Sequence, residues 1–156
     1  MSLRLRFERL IRPFYQAYSR LTRGMTLGVR GLVLNEAGEV LLVEHTYMHG
    51  WHLPGGGVER GETAALAMQR ELMEEAGIKA TAPLALVSIH SAEAHFRGDH
   101  ILLFRVPSWE ACAPTQTGEI AEAGWFSPDA LPEGTTAGTR KRIAEALGNA
   151  AAHPHW

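Results

Sequence analysis

Apolar positions set out the elements of this chain before any motif is read. Leu3, Phe7, Leu10, Ile11, Phe14, Tyr18 and Leu21 recur at helical spacing, which predicts an amphipathic helical segment over residues 1–24. Pro13 falls inside that pattern, so a kink or two shorter helices is expected. From Met25 the period changes. Met25–Leu34 and Val40–His45 are apolar runs rich in strand formers, and Asn35–Glu39 between them contains a glycine, which predicts a hairpin. Trp51–Gly57, WHLPGGG, reads as a loop whose three glycines permit close backbone approach. Leu84–His90 and Ile101–Val106 read as strands paired across Ser91–His100. Gly124–Phe126 reads as a short strand before a turn at Ser127–Leu131, and Thr139–Ala151 as a last helix with Ile143, Ala144 and Leu147 on one side. Strands with helices before, within and after them predict an α/β protein of layered α/β/α form with a mixed sheet.

The helix within the strands is the best defined. Thr63 suits its N-cap, and Ala64–Ala76 holds no Gly, no Pro and no β-branched residue. Gly77 suits C′, with Ile78 as its hydrophobic C″ partner. At helical spacing Glu71, Glu74 and Glu75 share an arc of about 100°. Ala65, Leu66, Leu72, Met73 and Ala76 lie on the other side. The expectation is that this side is buried and the acids are held out. Ala64 and Ala67, on the acids' side, would leave room for a ligand. Like charges at this spacing repel without a partner, and carboxylate oxygens suit hard cations such as Mg²⁺ or Mn²⁺, which also bind phosphates. A solvated acidic face is the plain alternative.

Composition narrows the class. A chain of 156 residues fits one domain with a real core. Its single cysteine, Cys112, excludes an intrachain disulfide framework and suits a reducing cytoplasm. The eight histidines form no close-spaced zinc pattern with it. No run of roughly 18 apolar residues predicts a membrane span, and the arginine-bearing N-terminus lacks the apolar stretch of a signal peptide. Charge is uneven. Residues 1–24 hold six Arg against one Glu, a net of +5, which leaves −7 for the remainder of a chain whose total is −2. Such a basic amphipathic segment can pack on its own domain, form a homodimer with a second copy, or lie on a membrane or nucleic acid.

Residues 56–78 read GGVERGETAALAMQRELMEEAGI. Gly56 is followed by Glu62, then by Arg70, Glu71 and Leu72, then by Glu74, Glu75, Gly77 and Ile78. This order resembles the signature of the Nudix hydrolases. The resemblance implies a Nudix-type α/β/α sandwich over residues 25–152, preceded by the basic segment 1–24. It further implies a divalent-metal-dependent pyrophosphohydrolase, in which water attacks a phosphorus of a nucleoside diphosphate linked to another moiety. Glu74 and Glu75 would be metal ligands. Glu71 would be a ligand or the residue that orients or deprotonates water, and the carbonyl of Gly55 a further ligand of Mg²⁺ or Mn²⁺. Arg70 and Glu62 would tie the loop to the helix, with Gly56 and Gly77 structural. In some members the base comes from a loop shortly before a Trp. Glu119, ahead of Trp125, is the corresponding residue here, with Glu122 and Glu93 behind it.

Substrate choice lies outside the signature. The proline that marks many ADP-ribose pyrophosphatases would fall near Glu93 and is absent. The tyrosine of the diadenosine polyphosphate hydrolases is absent too, with Phe96 the nearest aromatic. Size and layout resemble the mutator-type branch, which cleaves (deoxy)nucleoside triphosphates. Arg30, His45, Trp51 and His52 are expected substrate contacts, since Arg and aromatic side chains stack on bases. Tyr47, His49, His95, Arg97 and His100 are weaker ones. Two other readings compete with a hydrolase of small nucleotides. A nucleotide sensor of the same fold would lose signature acids, and this chain keeps them. An RNA 5′ pyrophosphohydrolase would use the basic N-terminal segment on RNA, against which the −7 remainder argues.

Overall fold

The computed structural model describes residues 18, 19, 21, 22, 24–115 and 118–156. The amphipathic segment expected over residues 1–24, and the homodimer contact expected of it, lie largely outside them. The described strands are β1 (Thr26–Val33), β2 (Val40–His45), β3 (Trp51–His52), β4 (Ile78–Ala80), β5 (Ala85–Ser91), β6 (Asp99–Val106), β7 (Trp109–Ala111) and β8 (Ile120–Phe126). The described helices are α1 (Ala64–Ala76) and α2 (Ala137–Ala146). One sheet runs β1-β6-β5, a second β3-β2-β8, and β4 pairs with β7. The first sheet is mixed: β1 and β6 are parallel, β5 and β6 antiparallel.

The central strands β1, β2 and β6 bury apolar residues on both faces because both are covered there. Val29, Val33, Leu41, Leu102, Phe104 and Val106 meet Ala67, Met68 and Leu72 of α1. Leu32, Val40, Leu42 and Leu103 meet Trp51, Leu53 and Ile143 of α2. The result is an α/β/α sandwich, and the pairing of β5 with β6 expected from sequence is present.

The expected β1–β2 hairpin is not formed. Its turn is: the Asn35 side-chain oxygen accepts from the backbone N–H of Ala37 at 3.0 Å and of Glu39 at 2.9 Å. One bridge, Leu34 to Val40, follows, and the strands then part into different sheets. Turn chemistry is local, whereas pairing is decided by where each strand buries both faces. For β1 that is beside β6, in register from Thr26–Asp99 to Val33–Val106.

Residues 153–156 lie along β5. Ser91 N–H donates to Pro154 O, and Trp156 N–H to Ser91 O, each at 2.9 Å. The clasp is Arg142 of α2, fully buried. Its guanidinium donates to Glu145 Oε1 at 2.7 Å and His155 O at 3.1 Å, touches His90 Nδ1, and lies 5.6 Å from the Trp156 ring centre.

Candidate active site

Helix α1 starts and stops where its caps dictate. Thr63 Oγ1 accepts from Leu66 N–H at 3.2 Å, and Gly77 takes the left-handed conformation at φ 59°. Its faces differ from the sequence expectation. Leu66 is 55% exposed, while Ala67 is sealed in the core and lines no ligand space. Glu71 and Glu75 are each only 9% exposed. Periodicity grouped the acids correctly, but that group leans over the glycine loop rather than into water.

The loop is held by β1. Gly31 N–H donates to Pro54 O and Val29 N–H to Gly56 O, both at 2.9 Å, and Val58 N–H donates to Leu27 O at 2.8 Å. Gly55 sits at φ 140°, where a Cβ would lie 2.1 Å from Val29 O. At Gly56 a Cβ would lie 2.5 Å from Glu71 Oε1. Both glycines are therefore required by close approach, one to a strand and one to an acid.

Two arginines organise the acids. Arg70 donates from Nε and Nη2 to the two oxygens of Glu62, each at 3.1 Å, and from Nη2 to Gly57 O at 3.0 Å. Its Nη1 reaches Glu71 Oε1 at 2.8 Å and Glu74 Oε2 at 3.2 Å. Arg30 Nη1 donates to Leu53 O at 3.0 Å and to the Gly55 carbonyl. Glu75 Oε2 accepts from Gly55 N–H at 2.8 Å, and its Oε1 lies 3.6 Å from His45 Nδ1. Among the described residues, no three His, Cys, Asp or Glu side chains converge as a ready metal cage. The expected ligands Gly55, Glu71, Glu74 and Glu75 line one stretch of loop and helix, with Arg70 on two of the acids and Arg30 on the carbonyl. The donors are hard oxygens, as a divalent cation requires.

Electrostatics follow burial. Loss of water pushes the Glu75 carboxyl up to about 7, with the Gly55 N–H and Arg30 opposing. Burial also raises Glu71, against the pull of Arg70. Arg70 itself is raised, chiefly by its bond to Glu62. Burial brings His45 down to about 4, aided by Arg30 and His52. Both ring nitrogens of His45 are buried without a hydrogen-bond partner.

The other expected residues divide. Glu119 is exposed on the approach to β8. Its carbonyl accepts from Thr46 N–H at 2.8 Å, and its charge contributes to the rise at Glu75. Glu122 faces Glu44 across β2 and β8, and Glu93 Oε2 accepts from Gly98 N–H at 2.7 Å. His52 lies 5.8 Å from the His45 ring and contacts His49 O. Trp51, an expected substrate contact, is buried away from the glycine loop. Its indole packs edge-on to Phe126, 4.9 Å between ring centres, in the α2-side core.

One part of the site had no local signal in the sequence. A cleft of about 250 Å³ runs from Gly56 and Gly57 past Gly28 and Arg30 to Thr26 and Asp99. Thr26 and Asp99 are far apart in sequence and meet only because β1 and β6 pair in parallel. A larger hollow of about 860 Å³, between Asn35–Ala37 and Pro107–Ala111, shares no residue with the acids.

A model of the NUDIX domain family matches residues 24–147. A protein of Bacillus subtilis (strain 168) described as a putative 8-oxo-dGTP diphosphatase is 35% identical over 107 residues, covering 69% of this chain and 70% of that one. The mouse 8-oxo-dGDP phosphatase NUDT18 is 32% identical over 116 residues. These are 72% of this chain but 36% of the mouse protein, which extends well beyond the matched region. The solution structure of the E. coli ORF135 protein aligns with a TM-score of 0.62 at 29% identity, covering 80% of this chain and 89% of that one. The chain belongs to the NUDIX domain family. It is a hydrolase that acts on phosphoanhydride bonds. No described helix is long and apolar enough to cross a membrane.

Proposed function

We propose that the chain hydrolyses a (deoxy)nucleoside triphosphate, or a similar nucleoside diphosphate linked to another moiety, over the Gly55–Gly57 loop. The observation that carries this reading is the pair of buried carboxylates, Glu71 and Glu75, each lifted by burial beside a loop that shows its backbone to a cleft. Acids held out of water at this cost fit a site completed by a cation. Glu71, Glu74, Glu75 and the Gly55 carbonyl would hold Mg²⁺ or Mn²⁺, which supplies charge neutralisation and Lewis acidity at the diphosphate. Arg30, which donates to the Gly55 carbonyl, stands beside the loop where the phosphates would lie. Arg70 keeps loop and helix together through Glu62 and Gly57 O. Water attacks one phosphorus, the bond to the bridging oxygen breaks, and the proton passes to a carboxylate. Glu119 is our assignment for that base, with Glu71 as the alternative. The Bacillus relative's description supports a triphosphate substrate, and the free Cys112 fits action in the cytoplasm.

The test is release of phosphate or pyrophosphate from a substrate panel with Mg²⁺ and with Mn²⁺. The panel comprises nucleoside triphosphates, oxidised guanine nucleotides, ADP-ribose, dinucleoside polyphosphates, nucleotide sugars and triphosphorylated RNA. Glu75→Gln should lower the rate on any true substrate by about two orders of magnitude or more. Equal rates in variant and wild type would remove the site assignment. Binding of a nucleotide with no turnover of the panel would turn the reading towards a sensor.

A further inference from the structure

The cleft beside Gly56 and Gly57 carries a chemical asymmetry that the acid cluster does not explain. One end has Arg30 and the backbones of Gly56 and Gly57, a setting that suits phosphates. Its far end has one anion, Asp99, which a phosphate would avoid. That end is therefore suited to the neutral, nucleoside part of a nucleotide. The volume of about 250 Å³ is below the roughly 300–1,000 Å³ of sites for drug-sized ligands, and fits one base with its sugar in the open.

The polarity of the far end follows from one hydrogen bond. Thr26 Oγ1 lies 2.7 Å from Asp99 Oδ1. A carboxylate accepts and does not donate, so the threonine hydroxyl must spend its only hydrogen on Asp99. What remains to face a ligand is acceptors alone: the lone pairs of Thr26 Oγ1 and the second oxygen of Asp99. Both side chains come from one paired position of parallel strands, Thr26 opposite Asp99, so the two acceptors stand side by side. Ile101, which pairs with Gly28, supplies an apolar surface beside them.

We infer that Thr26 and Asp99 form a base-reading edge that selects a nucleobase presenting two adjacent donors, as guanine does with N1–H and its 2-amino group. Adenine presents an acceptor at N1. Hypoxanthine lacks the amino group and leaves one acceptor unmatched, which costs binding once the bound base displaces that group's water. This deepens the proposed hydrolysis of nucleotides and rests on it for its role in turnover. Its binding component can be read without catalysis.

The experiment compares kcat/KM for dGTP, dITP, dATP and GTP in the wild type, Asp99→Asn and Thr26→Val. It also compares calorimetric binding of dGMP and dIMP with no metal added. Wild type should favour dGTP over dITP by about tenfold, the value of one hydrogen bond to a charged acceptor in a part-exposed cleft. Asp99→Asn, which gains a donor, should bring that ratio close to one, and the dGMP-to-dIMP affinity ratio should fall with it. Thr26→Val should lower both ratios while keeping the carboxylate, and serves if Asp99→Asn does not fold. Ratios equal in all three proteins would overturn the inference. So would a change confined to the dGTP-to-GTP ratio, since Asp99 would then read the sugar. Preference for dGMP in binding without turnover of any triphosphate would sink the proposed function and leave the base-reading edge standing.

Discussion

Gly56→Ala tests whether the glycine loop and the acid helix act as one device. The added Cβ would stand 2.5 Å from Glu71 Oε1, 2.8 Å from its Cδ and 2.9 Å from Oε2. Ordinary contact begins near 3.4 Å, so the carboxylate must retreat by about 0.9 Å. Gly56 is not among the glycines with positive φ, so the backbone accepts a methyl group and Glu71 takes the displacement. That movement breaks the 2.8 Å contact with Arg70 Nη1. A displacement of about 1 Å at a catalytic group costs about a hundredfold in rate, or about 2.7 kcal/mol of transition-state stabilisation. Stability should fall by only about 1 kcal/mol, the low end for overpacking, because what moves is a side-chain tip. Steady-state kcat/KM on the best substrate from the panel, beside a thermal melt, separates the two effects. A folded Gly56→Ala protein with kcat/KM within twofold of wild type would refute the coupling of loop to acid.

Two further predictions concern the tail clasp. Arg142→Leu removes a fully buried cation and leaves the Glu145 carboxylate with only the His153 N–H against it, so unfolding free energy should drop by about 3 kcal/mol; a urea titration showing a loss under about 1 kcal/mol would contradict the clasp. His90, 1% exposed, is held below its ordinary 6.5 by burial, with Arg142 adding to the shift and His153 O and Glu145 opposing it. The unfolded chain therefore takes up a proton first as pH falls, so stability present above pH 6.5 is lost below it. His90→Gln should make the fall in urea midpoint between pH 7.5 and 5.5 shallower. His45, whose value lies near 4, adds to the slope, while Glu75, held up to about 7, works in the opposite sense through the same window and is unchanged by the substitution. An unchanged slope would show that His90 does not carry the linkage.

What could be read from sequence was what neighbours in sequence decide. Helix α1 begins and ends at Thr63 and Gly77 because its caps are a few residues from the bonds they make. The Asn35–Glu39 turn was legible for the same reason, yet the hairpin it suggested was not there, since β6 competes for β1 with a longer register. Strands β4 and β7 are three residues each and show no run to detect. The helix faces were half right: spacing put Glu71, Glu74 and Glu75 together but could not say that a glycine loop, not water, lies opposite. Trp51 looked like a binding aromatic because it sits beside the glycines, but strand alternation turns it to the α2 side. The Thr26–Asp99 pair and the Arg142–His90 contact had no sequence signal, because each joins segments distant along the chain.

The parallel pairing of β1 with β6 also sets an order of events during synthesis. The Gly55–Gly57 loop and α1 follow β1 closely, so that edge of the strand can be occupied early. The other edge waits for Asp99–Val106. At about 5–20 residues per second, the 73 residues from Thr26 to Asp99 take roughly 4–15 seconds to make. Through that interval a strand whose second half is apolar stands with one row of amide and carbonyl groups bare, the arrangement other chains most readily join. Codon usage and chaperone access between residues 34 and 99 should therefore govern the yield of folded protein more than the same changes after Val106, when the edge is closed.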